Sequence, residues 1–305
     1  MDGLIVIDKP PGLTSHDVVL RIRKIIKGEK TGHCGTLDPD ATGVLLIAVG
    51  RATRLFPFLS GHDKTYRGTI RFGFSTDTYD AAGRPTSAES QEYPDENALR
   101  RAMRQFEGSI VQNPPPYSAK KLGGQPSYKL ARASREVILR PQEVTIYRFE
   151  LETFRPPLAN FVAECSSGTY MRALAHDLGK LLGCGAHLAG LRRTASGEFG
   201  LADAHSLDDF RSKAESGNWQ GLIIPIEELF PGLQTIKLNS EGENRARHGN
   251  RILPGHVLAF LNGRPGASFG QEPVFRLVSR DGKLLALARR SYDREGFSPF
   301  LVLKD

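Results

Sequence analysis

The stretch Gly32–Gly43, Gly-His-Cys-Gly-Thr-Leu-Asp-Pro-Asp-Ala-Thr-Gly, constrains this chain more than any other segment. It combines three glycines, a proline, a histidine and two carboxylates, and the apolar run Val44–Val49 follows it directly. Glycine can adopt positive φ and Pro39 pushes its predecessor towards an extended conformation, so backbone restriction shapes the loop. Asp38 is therefore expected in a fixed position at the mouth of a strand, where a carboxylate can act as nucleophile or general acid/base.

A second interpretation of this loop is purely structural. Asp beside Pro and Gly is a common turn former, and a lone Asp-Pro pair is more often a turn than a catalyst. His33, a polar aromatic ring five residues before Asp38, favours the functional interpretation because a turn does not require it.

With Val44 and Leu45, this stretch resembles the catalytic motif of the TruB family, the tRNA pseudouridine-55 synthases, which usually reads Gly-His-Thr-Gly-Thr/Ala-Leu-Asp-Pro-Leu-Ala-Thr-Gly. The resemblance runs over essentially the whole chain, and several ordered motifs are far more specific than one. The further stretches that agree with the family, in the same order, are Asp8–Gly12, Lys64–Arg67, Pro115–Lys120, and Ser167–Arg172 with the later Leu191–Arg193.

The resemblance implies an α+β fold with two domains. Residues 1–230 would form a mixed, largely antiparallel sheet with flanking helices, the pseudouridine synthase fold. Residues 231–305 would form a small β-rich unit that resembles a PUA domain, an RNA-binding module. The residues themselves indicate a junction at Pro225–Gly232 and, beyond it, a helix capping box at Ser240–Glu243.

Hydrophobic periodicity and cap residues predict individual elements. A helix is expected from a cap at Thr14 or Ser15 to a stop at Gly28, and two more over Asp95–Gly108 and Thr169–Leu182. The predicted strands are Leu4–Ile7, Val44–Val49, Lys64–Gly73, Val144–Phe154, Phe161–Cys165, Val274–Val278 and Leu284–Ala288.

Charge and composition restrict partner and location. The chain has 41 Lys and Arg against 34 Asp and Glu, a net charge of +7 and a pI near 9.4, which favours a polyanionic partner. Residues 231–305 carry 12 basic and 7 acidic residues. Gln112–Arg140 interleaves basic and aromatic residues, a pattern that suits an RNA contact and equally an ordinary positive surface loop. No apolar run approaches the ~20 residues of a membrane span, and the first residues are too acidic for a signal peptide. We therefore expect a cytoplasmic protein without membrane contact.

Three residues are assigned catalytic roles by the resemblance. Asp38 would be the nucleophile, Arg172 would orient it and keep it ionised, and Tyr66 would stack on the target base. The residues add one argument, since Arg172 falls in the first turn of a predicted helix, where the dipole disfavours a cation unless a carboxylate pairs with it. For Tyr66, sequence alone favours a core aromatic.

Five further residues are assigned to RNA or base binding on the same grounds. His33 would fill the space vacated by a flipped base, and Leu191 would line the pocket. Tyr170, Lys9 and Lys64 belong to family motifs. Whether each lysine contacts RNA or supports the loop is left open by the sequence.

The implied reaction isomerises the uridine at position 55, in the T-arm of tRNA, by base flipping, aspartate-mediated cleavage of the N-glycosidic bond, rotation of the uracil and rejoining through C5. It needs no cofactor, no protein partner is implied, and a monomer is expected. A zinc site built from His33, Cys165, Cys184 and His187 is conceivable, but its spacing matches no paired ligand pattern, so no metal is predicted.

Two departures and two rival functions complete the predictions. Cys34 replaces the family's usual Thr, and Asp40 its usual Leu. Asp40 would raise the pKa of Asp38 if both side chains shared a face, and we expect it to point to solvent instead.

The rival functions are a non-catalytic tRNA-binding or RNA-folding protein and a carboxylate hydrolase such as a nucleosidase.

Overall fold

The computed structural model describes residues 2–26, 28–115, 121–122, 125–126, 140–261, 263, 272–293 and 295–303. Most of the predicted basic segment, including Tyr117, Lys120, Tyr128, Lys129, Arg132 and Arg135, lies outside the described residues. The α-helices are α1 Ser15–Ile25, α2 Phe56–Ser60, α3 Glu96–Arg104, α4 Met171–Leu181, α5 Leu207–Glu215 and α6 Ser240–Arg247. The strands are β1 Gly3–Lys9, β2 Thr31–His33, β3 Thr42–Val49, β4 Lys64–Phe72, β5 Gly108–Gln112, β6 Lys121–Leu122, β7 Gln125–Pro126, β8 Gln142–Arg155, β9 Leu158–Cys165, β10 Ala186–Ser196, β11 Phe199–Gly200, β12 Ile224–Pro225, β13 Gln234–Leu238, β14 Val257–Leu261, β15 Val274–Val278, β16 Leu284–Arg290 and β17 Phe297–Val302.

A ten-stranded sheet forms the centre of the molecule. Its strand order is β12-β1-β3-β10-β4-β9-β8-β5, with β2 paired to β3 and β11 paired to β10. Strands β3 and β10 run parallel, and the other pairs described in this sheet are antiparallel. The predicted α+β class, with a mixed and largely antiparallel sheet, is confirmed.

Helix α1 begins where its cap residues predict. Thr14 accepts a hydrogen bond from the Asp17 amide, and the Asp17 carboxylate accepts one from the Thr14 amide, which closes a capping box. Val18, Val19 and Ile22 are buried against the sheet. The helix therefore packs directly beside the segment that carries Asp38.

Helix α3 is shorter than predicted. The helix was expected to continue to Gly108, but it ends at Arg104, and Gly108 has φ +96° and begins strand β5. A residue with this φ cannot continue a right-handed helix. Strand β5 then pairs with β8 at the edge of the sheet.

Strand β10 was not predicted, although it lies at the centre of the sheet. Two register shifts, between Leu188 and Gly190 and between Arg193 and Ala195, interrupt its pairing with β4. Each such irregularity displaces the alternation of buried and exposed side chains on which strand prediction depends. The element is thus defined by its neighbours β3 and β4.

A second, five-stranded sheet has the order β14-β13-β15-β16-β17. Its residues Val274, Val278 and Leu284 share one apolar cluster with Leu4 and Val6 of strand β1. The small sheet therefore packs against the large one. The boundary at residue 230 and the likeness to a PUA domain stay predictions.

Candidate active site

Asp38 lies in a loop whose neighbouring residues are tied down on both sides. The Ser15 hydroxyl accepts a hydrogen bond from the Leu37 amide (2.9 Å) and donates one to the Leu37 carbonyl (3.1 Å). On the other side, the Gly12 amide donates to the Pro39 carbonyl (3.0 Å). The backbone at Asp38 therefore has little freedom to move.

Lys9 supports the same loop from beneath. Its side chain is 0% exposed, and its ammonium donates to the carbonyls of Pro10 (2.8 Å), Leu13 (2.7 Å) and Pro39 (2.7 Å). Burial lowers the pKa of Lys9 to about 8. Because the three N–H groups of the ammonium all have backbone partners, the geometry favours support of the loop over contact with RNA.

The carboxylate of Asp38 forms a two-point ion pair with Arg172. The distances are 2.9 Å from Nε to Oδ2 and 3.1 Å from Nη2 to Oδ1. The Arg172 side chain is 8% exposed, whereas Asp38 keeps 42% exposure at an open cleft. Enclosure by the surrounding protein raises the pKa of the Asp38 carboxyl, and Arg172 acts in the opposite direction. The arginine in the first turn of α4 thus has the carboxylate partner expected for it.

A second carboxylate, Asp80, shares the same arginine. Nη1 of Arg172 lies 3.4 Å from Oδ2 of Asp80 and 3.3 Å from the Thr78 carbonyl. The charge of Asp80 also contributes to raising the pKa of Asp38. The sequence analysis did not assign Asp80 to the site, because nothing in its local sequence indicates a partner 92 residues away.

A cleft of about 380 Å³ brings most of the predicted site residues together. It also contains residues of the Gly35–Leu37 segment and of the turn before helix α4. The predicted residues that line it are Asp38, Lys64, Tyr66, Tyr170, Arg172 and Leu191.

Lys64 lies in the cleft wall, yet its ammonium is occupied by protein. The residue is buried, and the ammonium donates to the carbonyls of Ser60 (2.6 Å) and His62. Burial lowers the pKa of Lys64 to about 8. As for Lys9, these contacts favour a supporting role.

Tyr170 is positioned by a residue that sequence reasoning did not assign to the site. The buried Gln112 accepts a hydrogen bond from the Tyr170 amide (2.8 Å) and donates one to its carbonyl (3.1 Å). This two-point contact holds the residue that precedes helix α4. No sequence motif marks Gln112, since its role depends on the edge pairing of β5.

His33, like Lys9, is a predicted site residue that is not among the described residues lining this cleft. His33 ends strand β2, paired with Ile47 of β3. Burial, with the charges of His16 and Arg193, lowers the pKa of its imidazole. This shift favours the neutral form of the ring.

The two residues that depart from the family motif, Asp40 and Cys34, differ in their exposure to solvent. Asp40 is exposed, as expected. Cys34 is fully buried, and burial raises the pKa of its thiol to about 12. Among the residues that the structure describes, no group of three His, Cys, Asp or Glu side chains could hold a metal ion, so the conceivable zinc set is not assembled.

Comparisons with known proteins show which family this chain is similar to. The family "TruB family pseudouridylate synthase (N terminal domain)" matches residues 23–171, and "tRNA pseudouridylate synthase B C-terminal domain" matches residues 172–230. A tRNA pseudouridine synthase B of Solibacter usitatus is 43% identical over 94% of this chain and 95% of its own length. The enzyme of the same name from Geobacter sulfurreducens is 44% identical over 94% of this chain and 93% of its own length. The one from Thermobifida fusca is 40% identical over 99% of this chain and 98% of its own length.

Solved structures extend the likeness to the fold. A Cbf5-Nop10-Gar1 complex contains a chain with a TM-score of 0.74 and 27% identity, matched over 99% of this chain and 84% of its own. An H/ACA ribonucleoprotein bound to a substrate RNA containing 2'-deoxyuridine contains a chain with a TM-score of 0.73 and 26% identity, matched over 99% of this chain and 85% of its own.

Fold, site and family matches together define a pseudouridylate synthase. The chain belongs to the TruB family, and the predicted activity, that of a tRNA pseudouridine synthase, an isomerase, is confirmed. Family membership therefore favours the enzyme over the non-catalytic alternative. Within the described part of the chain, no helix is long and apolar enough to cross a membrane.

Proposed function

We propose that this enzyme converts the uridine at position 55, in the T-arm of tRNA, to pseudouridine, with Asp38 as the nucleophile. The observation that carries the proposal is the two-point ion pair between Asp38 and Arg172 inside the cleft. The curated relatives named tRNA pseudouridine synthase B support tRNA as the substrate.

The ion pair explains how an aspartate can attack carbon. A guanidinium bound at two points sets the direction of the carboxylate as well as its charge. Because enclosure raises its pKa, the Asp38 carboxylate is less well stabilised than one in water and correspondingly more reactive. Asp38 would attack the target nucleotide while the N1–C1′ bond breaks. The uracil would then rotate, C5 would bond to C1′, and the bond to Asp38 would break. The C5 proton would leave, and N1 would take up a proton.

The target base must leave its stack to reach Asp38. Flipping costs a few kcal/mol, which contacts in the cleft would offset. The ring of Tyr66 would stack on the uracil, while Leu191 and Tyr170 line the cleft beside it. His33, outside the cleft but on the same loop, would occupy the space that the base vacates.

Contacts outside the cleft would set the affinity for tRNA. Residues 231–305, treated as a PUA-like domain, carry most of the excess positive charge and would contact the tRNA backbone. Binding would then weaken as salt rises.

We infer a cytoplasmic monomer that requires neither a cofactor nor a protein partner.

The test uses tRNA transcripts carrying tritium at C5 of uridine, with U55 present or replaced by C. The proposal predicts about one equivalent of tritium per U55 transcript, no release from the U55C transcript, and no free uracil. Equal release from both transcripts would assign the activity to another uridine, and free uracil would indicate the nucleosidase.

A further inference from the structure

Arg193 is a fully buried arginine at the floor of the cleft. Its side chain is 1% exposed, and Nε donates to the Val44 carbonyl at 2.7 Å. Nη1 lies 3.5 Å from the Thr36 carbonyl and Nη2 3.4 Å from the Gly35 carbonyl. One guanidinium therefore binds the start of strand β3 and the loop segment that leads to Asp38.

The same side chain reaches the base-stacking residue. Arg193 and Tyr66 are directly opposite each other in the pairing of β10 with β4, so their side chains share one face of the sheet. Burial raises the pKa of the Tyr66 phenol, and the charge of Arg193 acts in the opposite direction. Arg193 and Tyr66 both line the cleft beside Asp38.

Arg193 has no carboxylate partner among the described residues. A buried cation is ordinarily paired because its desolvation is costly. Here the neighbouring charge is a second buried cation, Lys64, which makes the burial more costly still. A leucine or methionine would fill the space in the sheet without this penalty, so a role in packing does not account for an arginine at this position.

We propose that Arg193 is a positioning residue of the active site, which holds the Gly35–Thr36 backbone and the facing Tyr66 side chain in one fixed arrangement. Arg193 would thereby fix the position of the Tyr66 ring, which meets the base, relative to the carboxylate of Asp38. The inference rests on the proposed function, since it takes these two groups to be the ones that meet the uracil. Lysine cannot substitute, because the planar guanidinium presents five donors in fixed directions and an ammonium acts as a compact charge.

The test is a double-mutant cycle of Arg193→Lys with Tyr66→Phe. Each variant is mixed in excess with C5-tritiated tRNA, and single-turnover release, tRNA affinity and thermal unfolding are measured. A small displacement of positioned groups can cost about 100-fold in rate, so Arg193→Lys is expected to slow release about 100-fold while the tRNA Kd changes less than about threefold. Because Arg193 is proposed to act through the phenol group of the facing Tyr66, the double variant should be no more than about threefold slower than the slower single variant.

Arg192→Lys is the matched control. Arg192 is the adjacent residue, 41% exposed, and pairs with Asp8 at 2.7 Å. The Arg192→Lys enzyme should release tritium at a rate within about threefold of the wild-type rate, since an exposed ion pair that keeps its charge contributes little to stability. If Arg193→Lys does not fold, Arg193→Gln replaces it in the cycle and keeps amide donors towards Val44.

The outcomes separate the two proposals. Independent, multiplicative effects in the cycle, or an Arg193→Lys variant as fast as wild type, would overturn the positioning role and leave the proposed function standing. A wild-type enzyme that releases no tritium from U55 transcripts would overturn both.

Discussion

Arg172 approaches Asp38 from a point 134 residues further along the chain and binds both of its carboxylate oxygens, at 2.9 and 3.1 Å. The carboxylate comes from a loop between β2 and β3, and the arginine from the start of helix α4. Helix α4 is buried along the face that carries Arg172, so the guanidinium cannot follow the carboxylate if the loop moves. The direction of Asp38 thus depends on the packing of α4.

Asp80 is predicted to be needed because it holds the other side of Arg172. Asp80→Asn keeps the shape of the side chain but removes the charge that lies 3.4 Å from Nη1. We expect tritium release to fall about 10- to 100-fold because the guanidinium loses its second carboxylate partner, with tRNA affinity unchanged. Single-turnover release beside equilibrium binding measures both, and an Asp80→Asn enzyme as fast as wild type would contradict the shared-arginine arrangement.

Lys9 is predicted to act as a loop support and not as an RNA contact. Lys9→Met removes the ammonium donor from the carbonyls of Pro10, Leu13 and Pro39, of which Pro39 keeps the Gly12 amide. A carbonyl left unsatisfied away from water costs about 1–3 kcal/mol. Thermal unfolding should therefore occur at lower temperature, and tritium release should slow. The dependence of log Kd on log salt separates the roles, because loss of a phosphate contact would lower that slope by about 1. We expect the slope to be unchanged.

Gly43 is predicted to tolerate no side chain, whereas Gly32 at the other end of the same loop does. Gly43 has φ +98°, and a Cβ there would lie 2.1 Å from the Arg193 carbonyl oxygen, while a Cβ at Gly32 meets nothing within 4 Å. Gly43→Ala should lower the free energy of unfolding by more than about 2 kcal/mol, through positive φ and a clash with backbone. Gly32→Ala, the control, should change it by less than about 1 kcal/mol. Similar denaturation midpoints for both variants would contradict this account.

Local signals predicted the elements that depend on local physics. Helix α1 begins at its capping box, and strand β4 buries the alternate residues Tyr66, Ile70 and Phe72, because caps and alternation are properties of neighbouring residues. Helix α3 was predicted too long because a glycine at positive φ cannot be distinguished by sequence from one within a helix.

Long-range partners could not be predicted from the residues alone. The pairing of Asp38 with Arg172 was expected through the family resemblance, and the helix dipole added only that Arg172 needed some carboxylate. Asp80, Gln112 and Arg193 were not assigned to the site, because their roles come from the sheet and loop that surround them. A buried arginine looks no different in sequence from the exposed Arg192 beside it.

Asp38 itself is predicted to reduce stability at neutral pH. Enclosure raises the pKa of its carboxyl, so the folded protein holds this proton more tightly than the unfolded chain does, and ionised Asp38 costs folding free energy above the folded pKa. Asp38→Asn cannot ionise and should unfold at a temperature equal to or above that of wild type at pH 7. The difference should vanish as pH falls towards the ordinary aspartate pKa of about 3.9. Calorimetry across this range measures it, and a less stable Asp38→Asn at pH 7 would contradict the sign.

The central claim, that Asp38 is the nucleophile, is tested most directly by single-turnover release of tritium from C5-labelled tRNA by Asp38→Asn, with Asp40→Asn as the matched control. Both substitutions remove one negative charge from the same loop, but Asp40 is exposed to solvent and Asp38 is bound by Arg172. We predict a loss of more than about 1,000-fold for Asp38→Asn, with tRNA affinity unchanged and Asp40→Asn within about threefold of wild type. Release by Asp38→Asn at a rate near that of wild type, or an equal loss in Asp40→Asn, would contradict the claim.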